Sequence, residues 1–475
     1  MISANDTIVA ISTAPGNGAI GIIRLSGPES LAILTKVWDG KPSVGAFQPK
    51  TIYLGNIRDL TSEAPLDEAI VFWMKSPASY TGEDLVEVQA HGGQRLLEIL
   101  LQNFVAAGAR PADPGEFTRR AFLNGRIDLI QAEAVADLIN ASGTRAIREA
   151  ERQLEGRLSD TVRLLRNELK VLRAQMEAMI DFPEDEDVQG LHYDEAKERI
   201  GLIQSRISSL ISTYEEGRSI REGVKIAIVG KPNVGKSSLF NALLNDDRAI
   251  VHSTPGTTRD FLEESLDLKG LSVRFIDTAG IRESKDVLEG EGIRRSLERL
   301  SKADLILAVF DGSQPLNHED HTVLEMVKGI SSFYLMNKMD LLQGDGWPEG
   351  NFLEREAKRV GDKKFPEGTG PVFGISAKNG EGIRGLKDRI FSHVVKHPDR
   401  AQGSDLIVTN LRHRVGLQKG LDALEDASKG CDEKRTLELL VTDLTSAMNA
   451  LGEITGEVTN DEILGEIFSR FCIGK

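Results

Sequence analysis

VKIAIVGKPNVGKSSLFNALL, residues 224–244, joins three local patterns in a fixed order. A near-continuous apolar run, VKIAIV, has the character of a strand buried on both faces. A glycine-bearing loop follows, Gly230-x-x-x-x-Gly235-Lys236-Ser237, and then a segment with helical spacing begins. In that context the glycines let backbone N–H groups turn inward around an anion, and the helix N-terminus adds the positive end of its dipole. Lys236 is placed for β- and γ-phosphates, and the Ser237 hydroxyl for Mg²⁺.

Four further pieces follow in chain order. Thr257-Thr258-Arg259-Asp260 lies in a polar loop and offers Thr258 as a second hydroxyl for Mg²⁺. Asp277-Thr278-Ala279-Gly280 ends the strand-like LSVRFI, where an acidic residue can hold the metal shell and a glycine amide can sense the γ-phosphate. Asn337-Lys338-Met339-Asp340 follows SSFYLM, and the Asp340 carboxylate can accept from guanine N1–H and the exocyclic amine. Adenine cannot make that pair, and leaving buried polar groups unpaired is costly, so the contact selects the base. Ser376-Ala377-Lys378 would back the base. Any one of these is an ordinary loop by itself; together they imply a GTPase unit. The expected nucleotide contacts are Asn233, Val234, Gly235, Lys236, Ser237, Ser238, then His252, Ser253, Thr254, Pro255, Gly256, Thr257, Thr258. They continue with Asp277, Thr278, Ala279, Gly280, then Asn337, Lys338, Asp340, Ser376, Ala377 and Lys378.

Two positions stand out. Ile281 occupies the place where Ras-like proteins carry a water-orienting glutamine, so another group must position water and neutralise the transition state. Asn233, inside the loop, could ligate a monovalent cation with carbonyls around HSTPGT, standing where an arginine finger otherwise does; from composition alone it reads as an ordinary loop asparagine. Gly380-x-Gly382-x-x-Gly385 matches a dinucleotide fingerprint but does not open a βαβ unit, and is read as a turn.

Away from this core, strand-like and helix-like segments alternate over 216–399, the pattern of a doubly wound parallel sheet. Residues 1–120 mix short alternating runs with Gly/Pro punctuation and one helix near GQRLLEILLQNFVAAGA, reading as a small α+β domain. Residues 121–215 have long helical periodicity, expected as two or three long helices broken near DFPEDEDVQG by Pro183 and a charge run. Residues 400–475 are helical again, and the two helical blocks could form one domain into which 216–399 is inserted. The fold class expected is therefore a mixture of α/β and all-α parts. The 475 residues carry a net charge of −15 and only two cysteines, Cys431 and Cys472. With an acidic balance, any nucleic-acid contact must be local or shared with a basic partner, and the cysteine count excludes a disulfide framework and fits a reducing cytoplasm. The first residues do not read as a signal peptide, and no apolar stretch is long enough to span a membrane.

Long segments carry a resemblance: DTIVAISTAPGNGAIGIIRLSG, SYTGEDLVEVQAHGG, DPGEFTRRAFLNGRIDLIQAEAVADLI, the nucleotide motifs, and NDEILGEIFSRFCIGK. Through these the chain resembles the MnmE (TrmE) family of tRNA-modifying GTPases over nearly its whole length. The resemblance implies a homodimer, a formyl- or methylene-tetrahydrofolate bound to the N-terminal domain, and an FAD-dependent partner, MnmG. Together they would add a carboxymethylaminomethyl-type group at C5 of the wobble uridine of certain tRNAs. It places folate contacts on Arg24, Glu83, Arg126 and Lys475, K⁺ on Asn233, His252, Thr254 and Thr257, and a water-orienting glutamate on Glu289. Without the resemblance, Arg24, Glu83 and Glu289 would pass for surface charges. A GTPase of ribosome assembly is the competing class, but it would add a basic RNA-binding module, and neither a GXXG loop nor a basic tail is visible. Asn17 and Ala19 depart from the family pattern, which has Arg and Gly there, and the segment after NKMD is longer than the family's.

Cys472, four residues from the end, sits where a prenylated cysteine would, yet Gly474 and Lys475 do not suit that signal. In the family the C-x-G-K tail lies near the folate pocket. Cys472 is therefore expected as a catalytic thiol or as a small residue packing the tail.

Overall fold

The computed structural model describes residues 6–182, 192–244, 265–276, 300, 302–342, 371–395 and 406–474. They form two compact units, one of residues 1–139, 150–208 and 415–475, the other of 140–149 and 209–414.

In the first unit, β1 (Ile8–Ile11), β2 (Ile20–Ser26), β3 (Trp38–Gly40), β4 (Ile52–Arg58), β5 (Pro65–Met74), β6 (Leu85–His91) and β7 (Arg110–Pro111) make one sheet. Its order is β3-β4-β5-β6-β2-β1-β7, antiparallel except for the β1–β7 pair. Period-two alternation decides which side chains meet. Ile23 and Leu25 of β2, Val86 and Val88 of β6, and Val71 and Trp73 of β5 point to one face. Helices Ser30–Val37 and Gln94–Ala106 cover that face with Ile33, Leu34, Leu97, Leu100 and Phe104. On β1 the intervening positions Ile8 and Ala10 cluster instead with Phe117 of helix Glu116–Leu123.

Helix Arg157–Asp181 packs along helix Leu437–Thr455. Its buried residues Leu158, Val162, Leu165, Leu169, Leu172 and Met176 recur at alternating four- and three-residue steps, as do Leu440, Leu444, Ala447, Leu451 and Ile454 on the partner. That heptad-like spacing keeps one apolar seam on each helix and suits a pair lying nearly side by side.

The periodicity over 121–215 implied two or three long helices; among the described residues the long ones are Arg157–Asp181 and Tyr193–Ser212, and the shorter Leu129–Asn140, Thr144–Leu154 and Tyr214–Glu222 accompany them. Gly143 and Gly156 punctuate the first part. The amide of Gly156 turns back to the Gln153 carbonyl at 3.0 Å, closing one helix just before the next begins. The amphipathic pattern continues through both breaks, so periodicity did not register them.

In the second unit, β8 (Val224–Val229), β9 (Ser265–Leu268), β10 (Leu271–Ile276), β11 (Leu305–Asp311), β12 (Ser332–Asn337) and β13 (Val372–Gly374) form a sheet ordered β13-β12-β11-β8-β10-β9. All neighbours are parallel except the β9–β10 hairpin. The continuous apolar runs are explained by burial on both faces. Leu305, Leu307 and Val309 face helices Lys236–Leu244 and Ile383–Val394, whereas Ile306, Ala308 and Phe310 face helix His318–Val327. The chain leaves central β8, builds β9–β10 on one side, then crosses to β11 on the other. This reversal opens a crevice at the carboxyl end of β8, and the glycine loop lies there.

Candidate functional site

The loop 230–235 joins β8 to the helix that starts at Lys236. Gly235 has φ +98°, and a Cβ there would fall 2.2 Å from Asn337 Nδ2, so only glycine fits. Asn337 closes β12 and is buried. Its Nδ2 donates to the Val234 carbonyl at 2.7 Å, and its Oδ1 accepts from the Ala377 amide at 2.9 Å. One side chain thus ties the glycine loop to the Ser376-Ala377-Lys378 turn. Ser376 Oγ donates to Asp340 Oδ1 at 2.7 Å, and Met339 N donates to the Ile375 carbonyl at 3.2 Å, so the two base-facing segments hold each other. Lys338 adopts φ +64° and its ammonium donates to Asp311 Oδ2 at 2.8 Å. Burial alone would raise the Asp311 pKa, but Lys338 and Ser313 hydrogen bonds hold it below the usual carboxylate value. Lys378 is exposed beside this cradle.

Lys236 is half-buried, and its ammonium donates to the carbonyls of Gly230 at 2.8 Å and Lys231 at 2.9 Å. Desolvation pushes its pKa below the ordinary lysine value, so an anionic partner would restore what burial removes. Ser237 and Ser238 open the helix on its exposed side, and Asn233 is exposed at φ +63° in the middle of the loop. Such placement suits Ser237 to a metal held against phosphates and Asn233 to a cation at the loop's edge. The structure therefore brings together Asn233 through Ser238, Asn337, Lys338, Asp340 and Ser376 through Lys378. Residues His252–Thr258, Asp277–Gly280 and Glu289 lie outside the described residues. The Gly380–Gly382 part of the Gly380–Gly385 motif is a turn, in which the Gly380 amide donates to the Ser376 carbonyl at 2.9 Å and Ser376 bridges Glu381, whereas Gly385 lies in helix Ile383–Val394.

In the first unit, Arg24 on β2 stands directly opposite Glu87 on β6, with Nε 2.7 Å from Oε1. Its guanidinium lies 5.6 Å from the Tyr80 ring centroid and 5.7 Å from that of Phe117. Two residues along the same face of β2, Ser26 Oγ donates to Glu83 Oε2 at 2.8 Å, and Arg120 NH1 reaches the same oxygen at 3.1 Å. Arg126 is exposed, and its Cγ lies 3.2 Å from where a Cβ on Gly82 would stand, beside Glu83. Glu83 thus lies beside Arg126 and bonds Ser26, two positions from Arg24 on β2; a guanidinium suits a folate's carboxylate tail and a carboxylate its polar ring edges.

The chain's tail reaches the same part of the unit. Gly474 has φ +92°, and a Cβ there would meet the Ile11 carbonyl at 2.3 Å, while Ser12 Oγ donates to the Gly474 carbonyl at 3.1 Å. The Cys472 carbonyl accepts from Gly115 at 3.4 Å, and the Cys472 residue is exposed. Lys475 lies outside the described residues.

Sequence reasoning missed the groups that hold these residues. Buried Arg120 pairs with Asp6, Glu116 and Glu83, and Arg110 with Asp6 and Glu116. A signal did exist for Arg24 and Glu87: each is a lone charge inside an apolar strand, IGIIRLS and LVEVQAH. Arg120 follows Glu116 by one helical turn, a spacing visible in the sequence but not specific. Asn17, where the family pattern has Arg, accepts from the Gln94 amide at 3.1 Å and so caps the start of helix Gln94–Ala106.

A family model described as the MnmE helical domain matches residues 129–472, and one described as the GTP-binding protein TrmE N-terminus matches 7–126. The tRNA modification GTPase MnmE of Geobacter sulfurreducens is 43% identical over 470 residues, covering 99% of each chain. That of Syntrophus aciditrophicus is 42% identical with the same coverage. Among solved structures, the G domain of the T. maritima FeoB iron transporter is 28% identical over 36% of this chain and 98% of its own, with a TM-score of 0.24. With relatives of this identity aligned from end to end, and both family models matched, the chain belongs to the MnmE (TrmE) family.

Proposed function

We propose that this chain is a GTP hydrolase acting in tRNA modification. The observation that carries the nucleotide reading is the Asn337 clasp with the Ser376–Asp340 bond. It holds the phosphate loop and the guanine-reading carboxylate as one preformed unit. The loop amides would receive the phosphates, and the Lys236 ammonium would leave the Gly230 and Lys231 carbonyls for the β- and γ-phosphate oxygens. Asp340 would then select guanine. Mg²⁺ on Ser237 and Thr258, and K⁺ on Asn233, His252, Thr254 and Thr257, would offset charge growing on the bridging oxygen. Glu289 would orient the attacking water in place of the absent glutamine.

In the same proposal the domains are 1–120, 121–215 with 400–475, and 216–399, and closure of two GTPase domains across K⁺ in a homodimer drives hydrolysis. Arg24, Glu83, Arg126 and Lys475 hold a tetrahydrofolate one-carbon unit, with Cys472 beside it. An FAD-dependent MnmG partner completes the addition at C5 of the wobble uridine, in the cytoplasm. The Ser26–Glu83 bond two residues along β2 from Arg24, and Arg126 beside Gly82, support this placement.

The test is GTP turnover by the full chain in K⁺ and in Na⁺ at equal ionic strength, repeated with Asn233→Ala. Strong K⁺ stimulation that disappears in the variant is the expected result. Equal rates in both salts would end the cation mechanism.

A further inference from the structure

Lys231, the residue after the first loop glycine, has no assigned role in the reading above. It is largely buried, and its ammonium donates to Asp320 Oδ2 at 2.7 Å. Asp320 sits in the first turn of helix His318–Val327 on the far side of β11, and is 2% exposed. The same Oδ2 accepts from Asn317 N at 3.0 Å, and Asp320 N donates to Asn317 Oδ1 at 3.1 Å, a reciprocal cap that holds the carboxylate still. Asp320 Oδ1 is buried with no hydrogen-bond partner among the described residues. The carboxylate charge is therefore met by the Lys231 ammonium and the helix N-terminus, and among the described residues no other cation pairs with it.

The other end of Lys231 matters more. Its carbonyl is one of the two on which the Lys236 ammonium rests, the other being its neighbour Gly230. The two consecutive peptide groups carrying these acceptors meet at the Lys231 Cα, which is thus pinned through its side chain to a rigid cap. Lys231 cannot itself serve as a phosphate ligand while committed to Asp320, and a buried ion pair broken on one side leaves an uncompensated charge.

We propose that Asp320 is a positioning residue for nucleotide binding: through Lys231 it holds the 230–231 peptide, and so sets where the Lys236 ammonium waits and how the loop amides face the phosphates. This rests on reading Gly230–Ser237 as the phosphate loop. The pair shapes the loop before any bond changes, so losing it weakens binding of GDP as well as of GTP.

The experiment uses the full-length chain with Mg²⁺ and K⁺, and titrates a fluorescent GDP against wild type, Asp320→Asn, Lys231→Met, Lys231→Arg and the Asp320→Asn/Lys231→Met double variant. Asparagine keeps shape and cap acceptor while removing the charge. Both single variants are expected to bind GDP about tenfold more weakly, with KM for GTP raised as well. The double variant should be no weaker than either single one, and Lys231→Arg should restore near wild-type affinity. Unchanged GDP affinity in both singles, whatever happens to the melting temperature, would reduce the pair to fold stability and overturn the proposal. So would additive losses in the double variant. Should Asp320→Asn fail to fold, Lys231→Met and Lys231→Arg decide the matter. Failure of wild type to bind GDP at all would instead sink the phosphate-loop reading itself.

Discussion

At the scale of single residues, the nucleotide cradle depends on atoms that leave no room for alternatives. Gly235→Ala would place a methyl carbon within 2.2 Å of Asn337 Nδ2 at a backbone φ of +98°. Either the loop or the Asn337 clasp must give way. GDP affinity is expected to fall by at least about tenfold, with the circular dichroism spectrum preserved, because the strain is confined to the loop. Asn337→Ala acts more widely, since it strands the Val234 carbonyl and the Ala377 amide in a buried setting. Its expected cost is about 1–3 kcal/mol of stability in the second unit, read by denaturant unfolding, together with loss of guanine preference over adenine in nucleotide competition. Equal stability would show that water replaces the clasp.

Among the elements, helix Arg157–Asp181 gives the cleanest contrast. Leu169 is fully buried on the seam with helix Leu437–Thr455, whereas Leu164 is exposed on the same helix. Leu169→Ala should cost about 2–5 kcal/mol through lost transfer energy and a residual cavity. Leu164→Ala should stay within about 0.5 kcal/mol. Thermal unfolding of the two variants checks this, and similar shifts for both would refute the seam. The breaks before Thr144 and Arg157 show the converse lesson: helix face is legible from spacing, but helix ends depend on where a glycine is used to turn the chain.

For the molecule as a whole, the Asp6, Arg110, Glu116, Arg120 and Glu83 network ties both ends of the first unit's N-terminal segment to helix Glu116–Leu123. Burial by itself would raise the pKa values of Asp6 and Glu116. Hydrogen bonds and charges from Arg110 and Arg120 outweigh it and hold both below their ordinary values of 3.8 and 4.5. A carboxyl depressed in the folded state contributes stability that is complete above its unfolded pKa and is lost as pH falls through the folded one. The first unit should therefore keep its stability down to about pH 5 and lose it progressively below about pH 4. Replacing Glu116 with Gln should flatten that acid limb in a melting-temperature series from pH 3 to 7. An unchanged limb would show that other carboxylates dominate.

The nucleotide motifs were legible because their chemistry is local: a strand, a turn requiring glycine and a helix start occupy neighbouring positions, and each is encoded where it acts. The same holds for the alternation in β2 and β6 and for the seam residues of Arg157–Asp181. What spacing could not reveal was which distant charges meet. Nothing near Lys231 points to Asp320, and nothing near Glu83 points to Arg120, because each pairing is created by strands and helices closing over long stretches of chain. The linear sequence by itself determined the parallel sheet with its phosphate loop and the family to which the chain belongs. Only the tertiary structure decided how that loop is pinned, how Glu83 meets Ser26 and Arg120, and how the tail docks on Ile11 and Ser12. The reason is physical: the backbone requirements of a turn or a helix start are met by adjacent residues, whereas a buried charge is satisfied by whichever opposite charge the fold brings within hydrogen-bond reach.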